Sequence, residues 1–185
     1  MLKVKLITVG TLKEDYLRAA AAEYEKRLGA FCRFEQIQLK EEKVPELPSQ
    51  NEIKAALDKE ALKILEQIPS SAFCIALCVE GKQLSSEELA ERLGDISMSK
   101  SEICLVIGSS YGLSDSVKQR ADMRLSVSKL TFPHQLMRVI LLEALYRAFN
   151  IQKGTKYHKY SNILYNEKNK TKKDLKNSSG LFWSW

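Results

Sequence analysis

The chain has 185 residues, of which 44% are apolar and 28% charged, and its formal net charge is +6. This composition is typical of a globular protein large enough to bury a core. The sequence contains no run of 18 apolar residues, which excludes a conventional membrane-spanning helix. Its first ten residues read as a strand and lack the features of a signal peptide, so we expect a cytoplasmic protein.

The positive charge is unevenly placed along the chain. Residues 160–185 contain five lysines against one glutamate and one aspartate, which leaves a net charge of only +3 for residues 1–159. The same segment is rich in Asn, Lys and Ser and shows no sustained period. We therefore expect one domain over residues 1–159 and a disordered extension over 160–185. The charge balance permits a nucleic-acid partner without requiring one.

The four cysteines have no metal-site spacing. Cys74, Cys78 and Cys104 fall within apolar runs, where a thiol behaves as a small hydrophobic group. Neither these residues nor Cys32 forms a CxxC pair with histidines nearby. We expect these cysteines to be structural and the protein to hold no metal.

Alternation and helical spacing predict the first elements of the chain. Residues 2–9 and 34–39 have strand-like patterns, and the second alternates apolar and polar residues as a half-buried strand does. Residues 14–28 and 51–67 place apolar side chains on one helical face. Residues 40–50 carry two prolines and many charges, which indicates a loop.

Two continuous apolar runs, 72–79 and 102–107, are typical of parallel strands that are covered on both faces. We expect Gly81 to end the first of them, and Ser85 with Glu88 to form a capping box for the next helix. The remaining elements are a short helix from Ser114 to Ala121, a strand at 123–127 and a long helix that opens at Pro133.

This alternation predicts an α/β fold with a largely parallel sheet and helices on both faces. Loops 108–112 and 126–131 would then lie at the carboxyl edge of the sheet and face one crevice, where α/β proteins bind ligands. The glycines of the first loop match neither GxGxxG nor a P-loop, so turn formation and ligand binding both remain open. His134 belongs, with Ser126, Ser128, Lys129 and Thr131, to a polar cluster at this crevice; alternatively, at the start of the last helix, it simply caps or orients that helix.

Several sequence motifs, spaced along the chain, indicate a particular protein family. In order they are VKLITVGTLKEDYL, AEYEKRL, IALCVEGKQLSSEELA, LVIGSSYGLS, RADMRLSVSKLTFPHQLMRVILLEALYRAF and a closing KYHK. Through them, residues 1–159 resemble the RlmH family, the small SPOUT-class methyltransferases of 23S ribosomal RNA. The block SKLTFPHQ…RV…LLEALYRA is highly specific.

The resemblance implies a fold, a reaction and partners. It implies a SPOUT-type α/β knot, in which the carboxyl-terminal part of the sheet region passes through a trefoil knot. It also implies a homodimer that uses S-adenosylmethionine to methylate N3 of a pseudouridine in a stem-loop of 23S ribosomal RNA. The substrate would be the large subunit or the assembled ribosome.

Site residues follow from the same resemblance. Its substrate-side and catalytic positions are Tyr157, His158, Lys159 and Arg147. By intrinsic pKa, His158 is the expected proton acceptor, while Lys159 and Arg147 suit stabilisation of an anion or a phosphate. The cofactor positions are Leu77, Gly108, Val127, Ser128, Lys129, Leu130, Thr131 and Phe132.

The chain departs from the family pattern at two places. Ser109 stands where the family usually has glycine, so we expect an ordinary backbone conformation there and a slightly different loop path. The chain also continues for 26 residues after KYHK. Two rival functions stay open: a Rossmann-like nucleotide-binding enzyme, and a non-catalytic RNA-binding or ribosome-assembly module.

Overall fold

The computed structural model describes residues 1–155 and Tyr157. Within them, strands and helices alternate in the predicted α/β order, and most boundaries lie within one or two residues of the predicted ones. The elements are β1 (Lys3–Val9), α1 (Asp15–Leu28), β2 (Arg33–Leu39), α2 (Gln50–Glu66), β3 (Phe73–Gln83), α3 (Ser86–Ser99), β4 (Glu102–Ile107), α4 (Asp115–Arg120), β5 (Met123–Ser126) and α5 (His134–Gln152).

The five strands form one parallel sheet in the order β2-β1-β4-β3-β5. The first strand of the chain therefore lies inside the sheet, between β2 and β4, and the last strand lies at an edge beside β3. Because all strands run the same way, their carboxyl ends meet at one edge of the sheet. The α/β fold class that the sequence predicted is confirmed.

Helices cover both faces of the sheet. On β1, Leu6 packs into the layer of α1, α3 and α5, whereas its neighbour Ile7 packs into the layer of α2 and α4. The same alternation holds on β4 for Leu105 and Val106. Both faces of these strands are thus buried, which is why they read as continuous apolar runs. Burial also raises the pKa of the buried thiol of Cys74, to about 12, as expected for a structural cysteine.

Local sequence signals account for two helix starts. The Ser85 hydroxyl accepts from Glu88 N at 3.1 Å and the Glu88 carboxylate accepts from Ser85 N at 2.7 Å, which confirms the predicted capping box of α3. Ser49 and Glu52 form an equivalent box at α2, which the sequence analysis did not predict. Reciprocal caps of this kind satisfy backbone N–H groups that have no intrahelical partner.

The prediction that Gly81 ends β3 was wrong. The strand continues to Gln83, and β5 pairs first with Ile75–Leu77 and then, after a register shift, with Lys82–Gln83. A Cβ at Gly81 would lie 2.5 Å from the carbonyl carbon of Leu125 and 2.7 Å from Ser126 N. The glycine therefore allows two backbones to approach closely inside an irregular strand, and does not terminate it.

The last elements differ slightly from the prediction. β5 ends at Ser126, one residue early, and α5 begins at His134 with Pro133 at its N-cap. Within residues 1–155, none of the helices is both long and apolar enough to cross a membrane. The predicted extension at 160–185 lies outside the described residues.

Candidate active site

A cavity of about 270 Å³ opens at the carboxyl ends of β3, β4 and β5. Three chain segments form most of its wall: 77–80 within β3, 107–113 from the end of β4 onward without Ser110, and 125–132 from the end of β5 onward without Lys129. The short helix α4 contributes Lys118, and the start of α5 contributes His134 and Met137. The two loops that the sequence analysis placed at one crevice do meet there.

The loop after β4 folds back tightly on itself. Gly112 N donates to Ser109 O at 2.9 Å, and a Cβ at Gly108 would lie only 2.0 Å from Gly112 O. No side chain fits at that position unless the loop moves. Gly108 is thus required for the wall that this loop gives to the cavity.

The bend after β5 is held by serine hydroxyls. Ser126 Oγ donates to Ser128 O at 2.9 Å, and Ser128 Oγ accepts from Leu130 N at 3.0 Å. These bonds shape a turn that has no regular secondary structure. Leu130 remains 71% exposed at the mouth of the cavity, where an apolar side chain can cover a bound ligand.

The structure gathers nearly all of the expected cofactor residues. Lys129 belongs to the same bend but is not part of the cavity wall. The expected residues that line the cavity are Leu77, Gly108, Val127, Ser128, Leu130, Thr131 and Phe132. Their proximity depends on the order of the strands in the sheet, since Leu77 and Phe132 are far apart in the sequence.

One rim of the cavity carries an ion pair. Lys118 Nζ lies 2.6 Å from Glu80 Oε1. The hydrogen bond from Lys118 lowers the pKa of the Glu80 carboxyl, while burial raises the pKa of the nearby Cys78 thiol. The opposite charges of Lys118 and Glu80 therefore compensate each other at this rim, and the rest of the wall is mainly apolar.

His134 lies at the other side of the cavity. Its imidazole lines the cavity, where the predicted polar cluster had placed it; the alternative of a helix cap is wrong, because Pro133 occupies the N-cap of α5 and no side chain caps it. Burial lowers its pKa; Glu41 opposes this effect, and Arg138 and Lys13 add to it. An imidazole held neutral in this way is a hydrogen-bond acceptor at the cavity wall.

Arg138, one helical turn further along α5, was missed by the sequence analysis. Its side chain is fully buried, and its Nη2 donates to Val9 O at 2.9 Å and to Gly10 O at 2.5 Å. Its Nε and Nη1 have no partner among the described residues. A single arginine within the apolar run LMRVILL was the available signal. The guanidinium ties the start of α5 to the carboxyl end of β1.

Two serines of the loop after β4 contact carboxylates behind the cavity wall. Ser109 Oγ donates to Glu60 Oε2 at 2.9 Å, and Ser110 Oγ donates to Glu41 Oε1 at 3.1 Å. Ser109 has no positive φ, as the sequence predicted. Glu60 also accepts from Glu42 N at 2.9 Å, and burial raises the pKa of its carboxyl.

The expected substrate-side residues lie elsewhere in the chain. Arg147 pairs with Glu143, its guanidinium carbon lies 5.3 Å from the Tyr157 ring centroid, and Tyr157 OH donates to Glu143 Oε1 at 3.4 Å. The hydrogen bond to Glu143 raises the pKa of Arg147, and burial raises the pKa of Tyr157.

These two residues do not line the cavity. Along α5, Arg147 is more than three turns from His134, which corresponds to about 20 Å. His158 and Lys159 lie outside the described residues. One chain alone therefore does not bring Arg147 to its own cavity. Among the described residues, no cluster of three or more His, Cys, Asp or Glu could hold a metal ion.

Comparisons with known proteins show the family of this chain. A family model described as "Predicted SPOUT methyltransferase" matches residues 2–158. Two curated relatives carry the name "Ribosomal RNA large subunit methyltransferase H". The one from Streptococcus thermophilus is 52% identical over 159 residues, and the one from Bacillus pumilus is 50% identical over the same length. Each alignment covers 85% of this chain and all of the relative.

Among solved structures, a probable methylase family protein from Haemophilus influenzae aligns with a TM-score of 0.48 and 15% identity. That alignment covers 85% of this chain and 70% of the other, and its likeness is too weak to support an argument. The family match and the identity to the curated relatives are sufficient by themselves. The chain belongs to the RlmH family of SPOUT methyltransferases, as its motifs predicted.

Proposed function

We propose that this chain transfers a methyl group from S-adenosylmethionine to N3 of a pseudouridine in a stem-loop of 23S ribosomal RNA. The observation that carries the proposal is the cavity between the ends of β3, β4 and β5, whose wall contains seven of the eight expected cofactor residues. The names of the curated relatives point to large-subunit RNA as the substrate. Such a substrate places the reaction in the cytoplasm.

The cavity suits the proposed methyl donor. An adenosyl group needs apolar walls and backbone hydrogen-bonding groups, and Leu77, Leu130 and Phe132 supply walls while the two loops supply N–H and C=O groups. When bound, the donor supplies an electrophilic methyl group on a sulfonium. The mainly apolar wall excludes water and lowers the local dielectric, which favours a displacement that removes charge.

Transfer requires removal of a proton from the substrate. The imide N3–H of pseudouridine is a weak acid, so a base must accept its proton as the N–C bond forms and the S–C bond breaks, leaving a neutral thioether. In the proposed division of roles, His158 accepts the proton. Lys159 and Arg147 stabilise the developing anion or a neighbouring phosphate, and Tyr157 orients Arg147 through their ring contact.

This division of roles requires a homodimer. Within one chain, Arg147 lies about 15 Å along α5 from Met137, the nearest residue of that helix that lines the cavity. A second copy can supply Arg147, Tyr157 and the segment that follows them to the cavity of the first. A two-fold interface would then build two equivalent sites, each with a cavity from one copy and cations from the other.

RNA recognition is expected to depend mainly on shape. Residues 1–159 carry a net charge of only +3, so one copy has modest electrostatic affinity for RNA. Two copies double that charge over a continuous surface. Loops of folded RNA are read through splayed and stacked bases, so we expect one splayed base to lie beside the bound methyl donor.

Incubation with a labelled methyl donor and ribosomes that lack the modification tests the proposal. We expect label at N3 of one pseudouridine of the large-subunit RNA, mapped by nuclease digestion and mass spectrometry. Donor binding without transfer would favour the non-catalytic module. Calorimetric binding of NAD in place of S-adenosylmethionine would favour the Rossmann-like enzyme.

A further inference from the structure

Ser109 and Glu60 form a buried contact directly behind the cavity wall. Ser109 is 5% exposed and lies in the loop after β4, whereas Glu60 is 3% exposed and lies on α2. The hydroxyl donates to the carboxylate at 2.9 Å.

The buried Glu60 carboxylate depends on few partners. Its other oxygen accepts from Glu42 N at 2.9 Å, and the charged groups that act on it are the carboxylates of Glu41 and Glu42. A buried carboxylate is costly unless its oxygens are hydrogen-bonded. The Ser109 contact is thus strongly favoured when the loop is in the observed position, and lost when the loop moves.

The contact acts on the wall that faces the bend after β5. Ser109 O accepts from Gly112 N in the tight turn of the loop, and Gly108 to Leu113 all line the cavity except Ser110. Fixing Ser109 therefore fixes the turn. We propose that Ser109 and Glu60 are a positioning pair that holds this loop in the donor-binding conformation, so that affinity for the methyl donor depends on their hydrogen bond.

A second contact of the same chemistry provides a natural comparison. Ser110 Oγ donates to Glu41 at 3.1 Å, but Ser110 is exposed, so water can replace its partner. Both serines belong to the same loop, and both donate to a carboxylate. Burial is the main difference between them, and it predicts which pair sets donor affinity.

The inference rests on the proposed function and is tested by calorimetric titration of the dimer with S-adenosylmethionine. The apparent dissociation constant of a ligand rises in inverse proportion to the fraction of protein that is in the competent conformation. We expect Ser109→Ala and Glu60→Ala each to weaken binding about five- to tenfold, a loss typical of one intramolecular hydrogen bond. The double variant should be no weaker than the poorer single variant, because the pair acts as a unit.

Conservative and control variants separate positioning from general destabilisation. Glu60→Gln keeps both contacts, since its amide oxygen can accept from Glu42 N and its amide nitrogen can donate to Ser109 Oγ, so we expect affinity close to the unsubstituted chain. Glu41→Gln should change affinity less than about twofold. Ser114→Ala removes a buried serine that caps α4 outside the cavity wall, and should lower stability without weakening donor binding.

Amide hydrogen exchange gives a second readout that needs no donor. Exchange of the Gly112 amide should accelerate in Ser109→Ala and Glu60→Ala but stay unchanged in Ser114→Ala. Unchanged donor affinity and unchanged exchange in the two alanine variants would overturn the inference, as would equal weakening by Ser114→Ala. Absence of donor binding by the unsubstituted chain would contradict the proposed function, and the exchange comparison would still decide whether the pair holds the loop.

Discussion

The two ends of α5 carry charged groups in opposite situations. At the amino-terminal end, Arg138 is fully buried and His134 lines the cavity. At the carboxyl-terminal end, Arg147 has a third of its side chain exposed and stacks beside Tyr157. The side chains at the amino-terminal end contact residues of their own chain, whereas the carboxyl-terminal end presents a cation and aromatic rings toward the surface. One helix thus supports a cavity at one end and, in our proposal, completes another copy's site with the other.

Replacing Arg138 should give the largest effect on stability. Arg138→Met removes the charged group that donates hydrogen bonds to Val9 O and Gly10 O. Both buried carbonyl oxygens then lack this donor. We expect a loss of about 3 kcal/mol in the free energy of unfolding, measured by urea denaturation at fixed protein concentration. Arg147→Met should cost less than about 1 kcal/mol, because its ion pair is partly exposed. Equal losses in the free energy of unfolding for the two variants would show that the two ends of α5 do not differ in this way.

Replacing Arg147 should instead affect transfer. Arg147→Ala should lower kcat about 100-fold, in the range of losing one electrostatic contact to the transition state, and leave donor affinity unchanged. Single-turnover methylation and calorimetry measure the two quantities separately. Arg27→Ala removes another cation beside the Tyr146 ring and serves as the control, with kcat expected to change less than about threefold. Weaker donor binding in Arg147→Ala would contradict a role confined to the transfer step.

The buried end also predicts a pH dependence. Burial lowers the pKa of His134 in the folded chain, so the unfolded chain binds a proton more readily as the pH falls below about 6.5. Stability should therefore decrease as the pH falls through that value and below, down to the lowered pKa. Glu41 of the β2–α2 loop opposes the shift, and Arg138 of α5 and Lys13 of the β1–α1 loop reinforce it.

His134→Gln should remove part of this decrease, as measured by denaturation between pH 7.5 and about 5. The variant must be compared with the unsubstituted chain at each pH, because exposed carboxylates contribute to the pH dependence of stability in both proteins. An identical slope in the two proteins would show that His134 titrates as it does in the unfolded chain.

The rim ion pair should have the smallest effect. Glu80 and Lys118 pair at 2.6 Å at the cavity mouth, but about half of the Glu80 side chain is exposed. Lys118→Gln should change stability by less than about 0.5 kcal/mol and donor affinity by less than about threefold. A much larger loss of donor affinity, seen by calorimetry, would assign Lys118 a direct contact with the donor.

Sequence reasoning was most reliable where the signal is local. The capping box of Ser85 and Glu88 and the apolar run of β4 are formed by neighbouring residues, and both were predicted correctly. Sequence reasoning failed where a residue's contact partner is distant in the sequence. Gly81 was read as a strand end because the close backbone of Leu125 and Ser126 cannot be inferred from the residues around the glycine.

At the candidate site, too, predictions were correct where the signal is local and incomplete where contacts join distant residues. Motif resemblance indicated the cavity residues, but the pattern alone left the glycines of the loop after β4 ambiguous. For His134 the sequence left two roles open, a place at the ligand crevice and a cap of the last helix, and the structure places it at the cavity. The contact between Ser109 and Glu60 joins residues 49 positions apart, and no local period indicates it.

A mixed-dimer experiment tests the central claim, that one copy supplies the cavity and another supplies Arg147. Gly108→Ala blocks the cavity wall, since its Cβ would lie 2.0 Å from Gly112 O, and Arg147→Ala removes the cation; each variant alone should be nearly inactive. When the two are co-refolded in equal amounts, half of the dimers are mixed, and each mixed dimer has one intact site. We expect methylation of ribosomes at about one quarter of the unsubstituted activity. A mixture no more active than its two parents would contradict a site shared between copies.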